Sequence, residues 1–80
     1  MYYVYILRDR TDGRLYKGST SDVRRRMKEH QKRTTATTAH GSYALVWFCA
    51  FPTKKHAICF EHYLKSGSGI AFTRKHLVAL

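Results

Sequence analysis

Apolar and polar positions along this chain keep changing period, and each change marks an element. Residues 2–7 are aromatic and β-branched with both faces apolar, which predicts a strand in the middle of a sheet. Asp9-Arg10-Thr11-Asp12-Gly13 carries turn chemistry, with Gly13 able to take positive φ, and a second strand follows over residues 15–18. Folded as a hairpin, the pair brings Tyr5 near Tyr16 to within one or two residues of register, so that two phenol hydroxyls can share one face.

Ser19, Thr20, Ser21 and Asp22 offer N-caps, and a helix is expected over residues 22–32. At about 100° per residue Val23 and Met27 form its one apolar stripe. Arg26 and His30 fall beside that stripe and face the protein body, whereas Arg24, Arg25 and Lys28 point away. Residues 33–42 are Thr-rich, have no period and contain His40-Gly41, which reads as a loop. The apolar run over residues 43–51 predicts a third strand, buried on both sides and stopped by Pro52. Thr53 then caps a helix reaching Ser66, with Ala57, Phe60 and Leu64 as its core stripe. Gly67-Ser68-Gly69 is expected to break that helix before a short basic one over residues 70–80, anchored by Phe72 and Leu77.

The expected fold is therefore α+β: a small, three-stranded, mostly antiparallel sheet flanked by helices in the order β-β-α-β-α-(α), in one domain over residues 1–80. A chain of 80 residues buries only about 60% of the surface its unfolded form exposes, so a large enclosing cavity is not expected.

Charge adds a partner to this picture. Fifteen Lys and Arg against five Asp and Glu give a formal net charge of +10, for which an anionic partner is the simplest explanation, nucleic acid first. A membrane surface is disfavoured because the basic residues are spread along the chain, and no apolar run approaches the ~18 residues of a spanning helix. Cys49 and Cys59 form no CxxC pair and fall in a strand and a helix, and nothing marks the chain for export. Reduced thiols in a cytoplasmic protein are the expectation. His40, His56, His62 and His76 have no zinc spacing with these cysteines.

The carboxylates can be sorted by task. Asp9 and Asp12 belong to the turn, Asp22 to the N-terminus of the first helix, and Glu29 to that helix's outer face. Glu61 remains. It borders the apolar stripe of the second helix, and an acid turned toward so basic a body must pair with a base or hold a cation.

With Glu61 added to Tyr5, Tyr16, Arg26 and His30, the sequence resembles the GIY-YIG nuclease superfamily. It looks most like small stand-alone bacterial members related to the nuclease domain found at the N-terminus of an excinuclease. Tyr3-Val4-Tyr5 stands at the first motif and Tyr16-Lys17-Gly18 at the second. Asp22, Arg26 and His30 match the helical Asp-x-x-x-Arg-x-x-x-His pattern, and Glu61 with Leu64-Lys65-Ser66-Gly67 matches the second helix. Either triplet alone carries little weight, but the ordered set at these spacings carries much more. Tyr3 and Val4 replace glycine and isoleucine in the first motif, and Lys17 replaces isoleucine in the second. Many members of the wider superfamily use an asparagine near the C-terminus; this chain contains none, so that role is absent or filled by another group.

The resemblance implies metal-dependent hydrolysis of phosphodiester bonds in DNA, whether duplex, branched or single-stranded, with one Mg2+ or Mn2+ on Glu61. It implies that Tyr5 orients or deprotonates water, Tyr16 assists through its hydroxyl, Arg26 stabilises charge on the phosphate, and His30 positions or relays a proton. An unperturbed tyrosine, at a pKa of about 10, is a poor base, so neighbouring cations must share the work. Lys17, Gly18, Arg24, Arg25, Lys28, Lys32 and Arg33 are the candidate nucleic-acid contacts. Selectivity is expected from the 33–42 loop, from dimerisation or from a protein partner.

Each assignment has a plainer rival. Tyr5 and Tyr16 could be packing residues, Arg26 could pair with Glu61, His30 could serve a helix dipole, Glu61 could be an ordinary surface acid, and Gly18 could end a strand or admit a phosphate. The corresponding alternatives for function are a catalytically weak nucleic-acid-binding module of the same fold and a small RNA-binding protein.

Overall fold

The computed structural model describes residues 1–31 and 43–78. Its elements are β1 (Tyr2–Asp9), β2 (Leu15–Thr20), α1 (Val23–Gln31), β3 (Tyr43–Phe51), α2 (Lys54–Lys65), α3 (Gly67–Phe72) and a final π-helical turn, Thr73–Leu77. The three strands form one antiparallel sheet in the order β2-β1-β3. The α+β architecture and element order agree with the expectation from the sequence.

β1 is the middle strand, as its two apolar faces require. Val4, Ile6 and Leu7 are fully buried, and Val4 and Ile6 join Ala57, Leu64 and Val78 in the core between the sheet and α2. Burying each such aliphatic side chain contributes about 1.5–3 kcal/mol. Asp9 and Gly13 close the β1–β2 turn. Gly13 donates its N–H to the Asp9 carbonyl at 2.8 Å and takes φ 78°, while Asp9 Oδ1 accepts from the Thr11 N–H. The register that results sets Tyr5 against Gly18 and Leu7 against Tyr16, so the two phenols lie on one face, diagonally across the strand pair.

Asp22 caps α1, accepting the Arg25 N–H at 3.0 Å, and is itself held by the Thr20 hydroxyl. On the opposite face of the sheet, Thr53 caps α2 through the His56 N–H.

Three expectations need correction. β3 is an edge strand and is not buried on both sides: its residues are half-buried or exposed, and Phe48 is 53% exposed. Its apolar run arises because one face meets α2 while the other is only partly covered by the short α1; a register shift opposite Ile6 and Leu7 bends it further. The break after α2 falls at Ser66 alone, with Gly67 already in α3. Its hydroxyl donates to the Tyr63 carbonyl and accepts from the Gly69 N–H, ending one helix and starting the next. Glu29 is half-buried beside Arg26 and does not lie on an outer face.

Candidate active site

A cleft of about 580 Å³ opens at β2 and contains every residue singled out for chemistry: Tyr5, Tyr16, Arg26, His30 and Glu61. Its walls include Tyr16 and Gly18 from one face of β2 and Leu15, Lys17 and Ser19 from the other. Since successive strand residues point to opposite faces, the cleft must wrap around the outer edge of β2, along which no described residues pair.

One wall is an interlocked triad. The Tyr5 ring is 4% exposed, and its hydroxyl lies 3.2 Å from both Arg26 Nε and His30 Nε2. Arg26 Nε–H donates to the phenol oxygen. The phenol O–H can then donate to Nε2, provided His30 is neutral with its proton on Nδ1. Burial, then the Arg26 charge, push His30 below its usual imidazole value against the opposing pull of Glu29, which favours that neutral form. The hydrogen bond to Tyr5 raises the Arg26 pKa despite partial burial, so Arg26 stays charged. It also reaches Glu29 at 3.6 Å. Arg26 and His30 face inward as their helical phase indicated; Arg26 pairs with Glu29 and not with Glu61, and His30, in the last turn of α1, is turned to Tyr5.

Gly18 does not end the strand, and it lines the cleft. β2 continues to Thr20, and a Cβ at position 18 would collide with the Tyr5 hydroxyl and lie 2.6 Å from Cζ. Gly18 is the space that the Tyr5 ring occupies.

Across the β2 edge the opposite wall is built from α2. Glu61, with its side chain 14% exposed, accepts from Lys65 Nζ at 2.7 Å and from Ser19. Burial alone would raise the Glu61 pKa, but these hydrogen bonds and the Lys65 and His62 charges outweigh it and hold the carboxyl below its usual value. Lys17 stands nearby between Arg74 and Lys65. Burial, then those two charges, lower its pKa.

Tyr16 lines the cleft with its ring edge-on to Tyr43, centroids 5.2 Å apart. The Tyr43 hydroxyl bonds to Tyr16. Burial, that bond and the Asp9 and Asp12 charges push Tyr43 up to about 12, so it retains the proton it donates.

The remaining basic candidates divide. Arg24, Arg25 and Lys28 are exposed and outside the cleft, and Lys32 and Arg33 lie outside the described residues, as does the 33–42 loop. Sequence reasoning missed Ser19 and Tyr43 as neighbours of site residues, and missed the role of Lys65 on Glu61. The i, i+4 spacing of Glu61 and Lys65 was an available signal; nothing local marks Tyr43.

As for a divalent ion, no group of three His, Cys, Asp or Glu that could hold a metal occurs among the described residues. Glu61 is a single carboxylate in an open cleft, with the Ser19 hydroxyl beside it. That donor set fits a hard ion which keeps most of its waters and completes its shell with substrate phosphate oxygens.

Known proteins share this fold. The description "GIY-YIG catalytic domain" matches residues 1–71. The UPF0213 protein BH0048 of Halalkalibacterium halodurans is 42% identical over 66 residues, covering 80% of this chain and 69% of that protein. A UPF0213 protein of Vibrio campbellii is 36% identical over 77 residues, covering 94% of this chain and 70% of that one. The solution NMR structure of UPF0213 protein BH0048 from Bacillus halodurans superposes with a TM-score of 0.60 at 34% identity, over 99% of this chain and 89% of that chain. Among the described residues no helix is long and apolar enough to cross a membrane. On the match across residues 1–71 and the likeness to these UPF0213 proteins, the chain belongs to the GIY-YIG catalytic domain family.

Proposed function

We propose that this protein is an endonuclease that hydrolyses phosphodiester bonds in DNA in the cytoplasm, with Tyr5 passing a proton from water to His30. The observation that carries this reading is the buried Tyr5 hydroxyl held between charged Arg26 and neutral His30 inside the cleft that also presents Glu61. As water loses a proton to the phenol oxygen, the phenol proton moves to His30 Nε2, and the resulting hydroxide attacks phosphorus. The bond from phosphorus to the leaving oxygen breaks, and that oxygen takes a proton from solvent. Arg26 stabilises the charge that develops on the phenol and the phosphate, and Tyr16, held by Tyr43, hydrogen-bonds a phosphate oxygen. Mg2+ or Mn2+ held by Glu61 would supply Lewis-acid polarisation of the phosphoryl group. With no asparagine in the chain, the Ser19 hydroxyl is the group that orients Glu61 once the ion displaces Lys65.

A second reading rests on one observation: Glu61 already has a cation, Lys65, at 2.7 Å. If that pair persists with substrate bound, the protein is a nucleic-acid-binding module with weak or no hydrolysis. Incubation with duplex, branched and single-stranded DNA, with and without each metal, separates the two. The nuclease reading expects metal-dependent cleavage lost in Glu61→Gln and strongly reduced in Tyr5→Phe. Cleavage that survives both substitutions would overturn the mechanism, and absence of cleavage on all substrates would favour the binding module.

A further inference from the structure

Two smaller depressions adjoin the cleft, one toward each end of β2. The first, about 340 Å³, presents Arg14, Lys17 and Arg74. The second, about 310 Å³, presents Ser21, Arg25 and Lys54. Each shares walls with the cleft: Tyr16 and Lys17 with the first, Ser19 and Arg26 with the second. Shared walls make the three a single trough. Its order follows the chain, since β2 and its flanks supply residues 13–17 to the first depression, 15–19 to the cleft and 19–21 to the second.

The charge along this trough is one-sided. Its carboxylates are Glu61 and Glu29, and each is in an ion pair, with Lys65 and with Arg26. Arg14 shares Asp12 at 3.4 Å but is 76% exposed, and Arg25, Lys54 and Arg74 are exposed. Arg24 and Lys28, from the same basic helix as Arg25, line none of the three hollows. The six residues of β2 extend about 20 Å at 3.3 Å each, long enough for several consecutive phosphates of one strand.

We propose that one strand of a nucleic acid lies along the outer edge of β2, held by its backbone, with Arg14, Lys17 and Arg74 taking phosphates on one side of the cleft and Arg25 and Lys54 those on the other. Phosphate contacts of this kind set position and not sequence. The ends of the trough therefore hold a bond of the strand over the cleft without reading bases. This inference rests on the nucleic-acid reading above, yet it is tested by binding, which needs no cleavage.

Fluorescence anisotropy with a labelled single strand and a duplex of about twelve nucleotides or pairs, in EDTA, tests it. Arg14→Ala/Arg74→Ala and Arg25→Ala/Lys54→Ala are compared with Arg24→Ala/Lys28→Ala, which removes the same charge outside the trough. Each trough pair should weaken single-strand binding about tenfold and lower the salt slope by about 1.4, whereas the control pair changes affinity about twofold or less. Equal losses in all three overturn the proposal in favour of diffuse attraction. The thermal midpoints of all three double variants should match that of the unaltered protein, which separates a lost contact from a lost fold. Tighter binding of the single strand identifies an unpaired substrate, and tighter binding of the duplex identifies one strand within a helix. Localised binding without cleavage of any DNA leaves the inference standing and removes the hydrolytic reading; cleavage with diffuse binding does the reverse. No binding overturns the trough.

Discussion

The two walls of the cleft are built on different physical terms. On the α1 side, Tyr5 is buried, fixed by two 3.2 Å hydrogen bonds and fitted against a glycine. Across β2, Glu61 is satisfied by the flexible Lys65 side chain and a serine hydroxyl, in contact with solvent. A rigid, desolvated wall suits proton transfer, which depends on fixed short distances. A carboxylate with an exchangeable partner suits an ion and a phosphate that arrive and leave.

The sharpest way to break this contrast is Glu61→Gln. Because its partner is a solvent-facing ion pair, stability should change by less than about 1 kcal/mol, while metal-dependent cleavage falls by at least about 10²–10³-fold. Thermal unfolding and initial rates check the two halves of that statement, and a large loss of stability would show that both walls are structural. Gly18→Ala attacks the other wall. Its Cβ displaces the Tyr5 ring, so it should cost about 1–3 kcal/mol and cleavage should fall with it. Combined with Tyr5→Phe, the activity losses should be far less than additive, because both act through one hydroxyl.

Acidity tests the rigid wall more gently. His30 in the folded protein sits below the imidazole reference of 6.5, so the unfolded chain takes up the proton first as pH falls. The stability held by neutral His30 is therefore complete above pH 6.5 and is lost as pH falls through the lower folded value. Cleavage should show an acid limb in the same window, dropping about tenfold per pH unit at its steepest, and His30→Gln should flatten it in a pH–rate profile. The mildest expected effect comes from Lys65→Met. Removal of the competing cation should tighten Mn2+ binding about fivefold by titration calorimetry, equivalent to about 1 kcal/mol. Unchanged affinity would mean that Lys65 and the ion do not compete.

The rigid wall was much the more legible in the sequence. Apolar faces identified β1 as central, Asp22 signalled the start of α1, and the 3.6-residue period turned Arg26 and His30 inward, because each of these is a local periodicity. Properties set by a partner element could not be read in that way. The exposure of Phe48 depends on how little of the sheet α1 covers, and the bond from Tyr43 to Tyr16 depends on two strands brought to either side of β1 only in the folded sheet. Ser66 was hidden for a different reason: two glycines next to it offered a stronger breaker signal, whereas the stop is made by one hydroxyl serving two helices. Glu61 was found by elimination, but elimination could not say that Lys65 already holds it.

The fit of Tyr5 into the space at Gly18 has an evolutionary consequence. Tyr5 and Gly18 lie on separate strands, yet they are expected to change together, since a side chain gained at position 18 displaces the ring at position 5. A lineage that abandons the chemistry can relax both positions together, whereas one that keeps it can change neither. A pairing of a larger residue at 18 with a small one at 5 in a relative would mark a descendant that has kept the fold and lost the reaction.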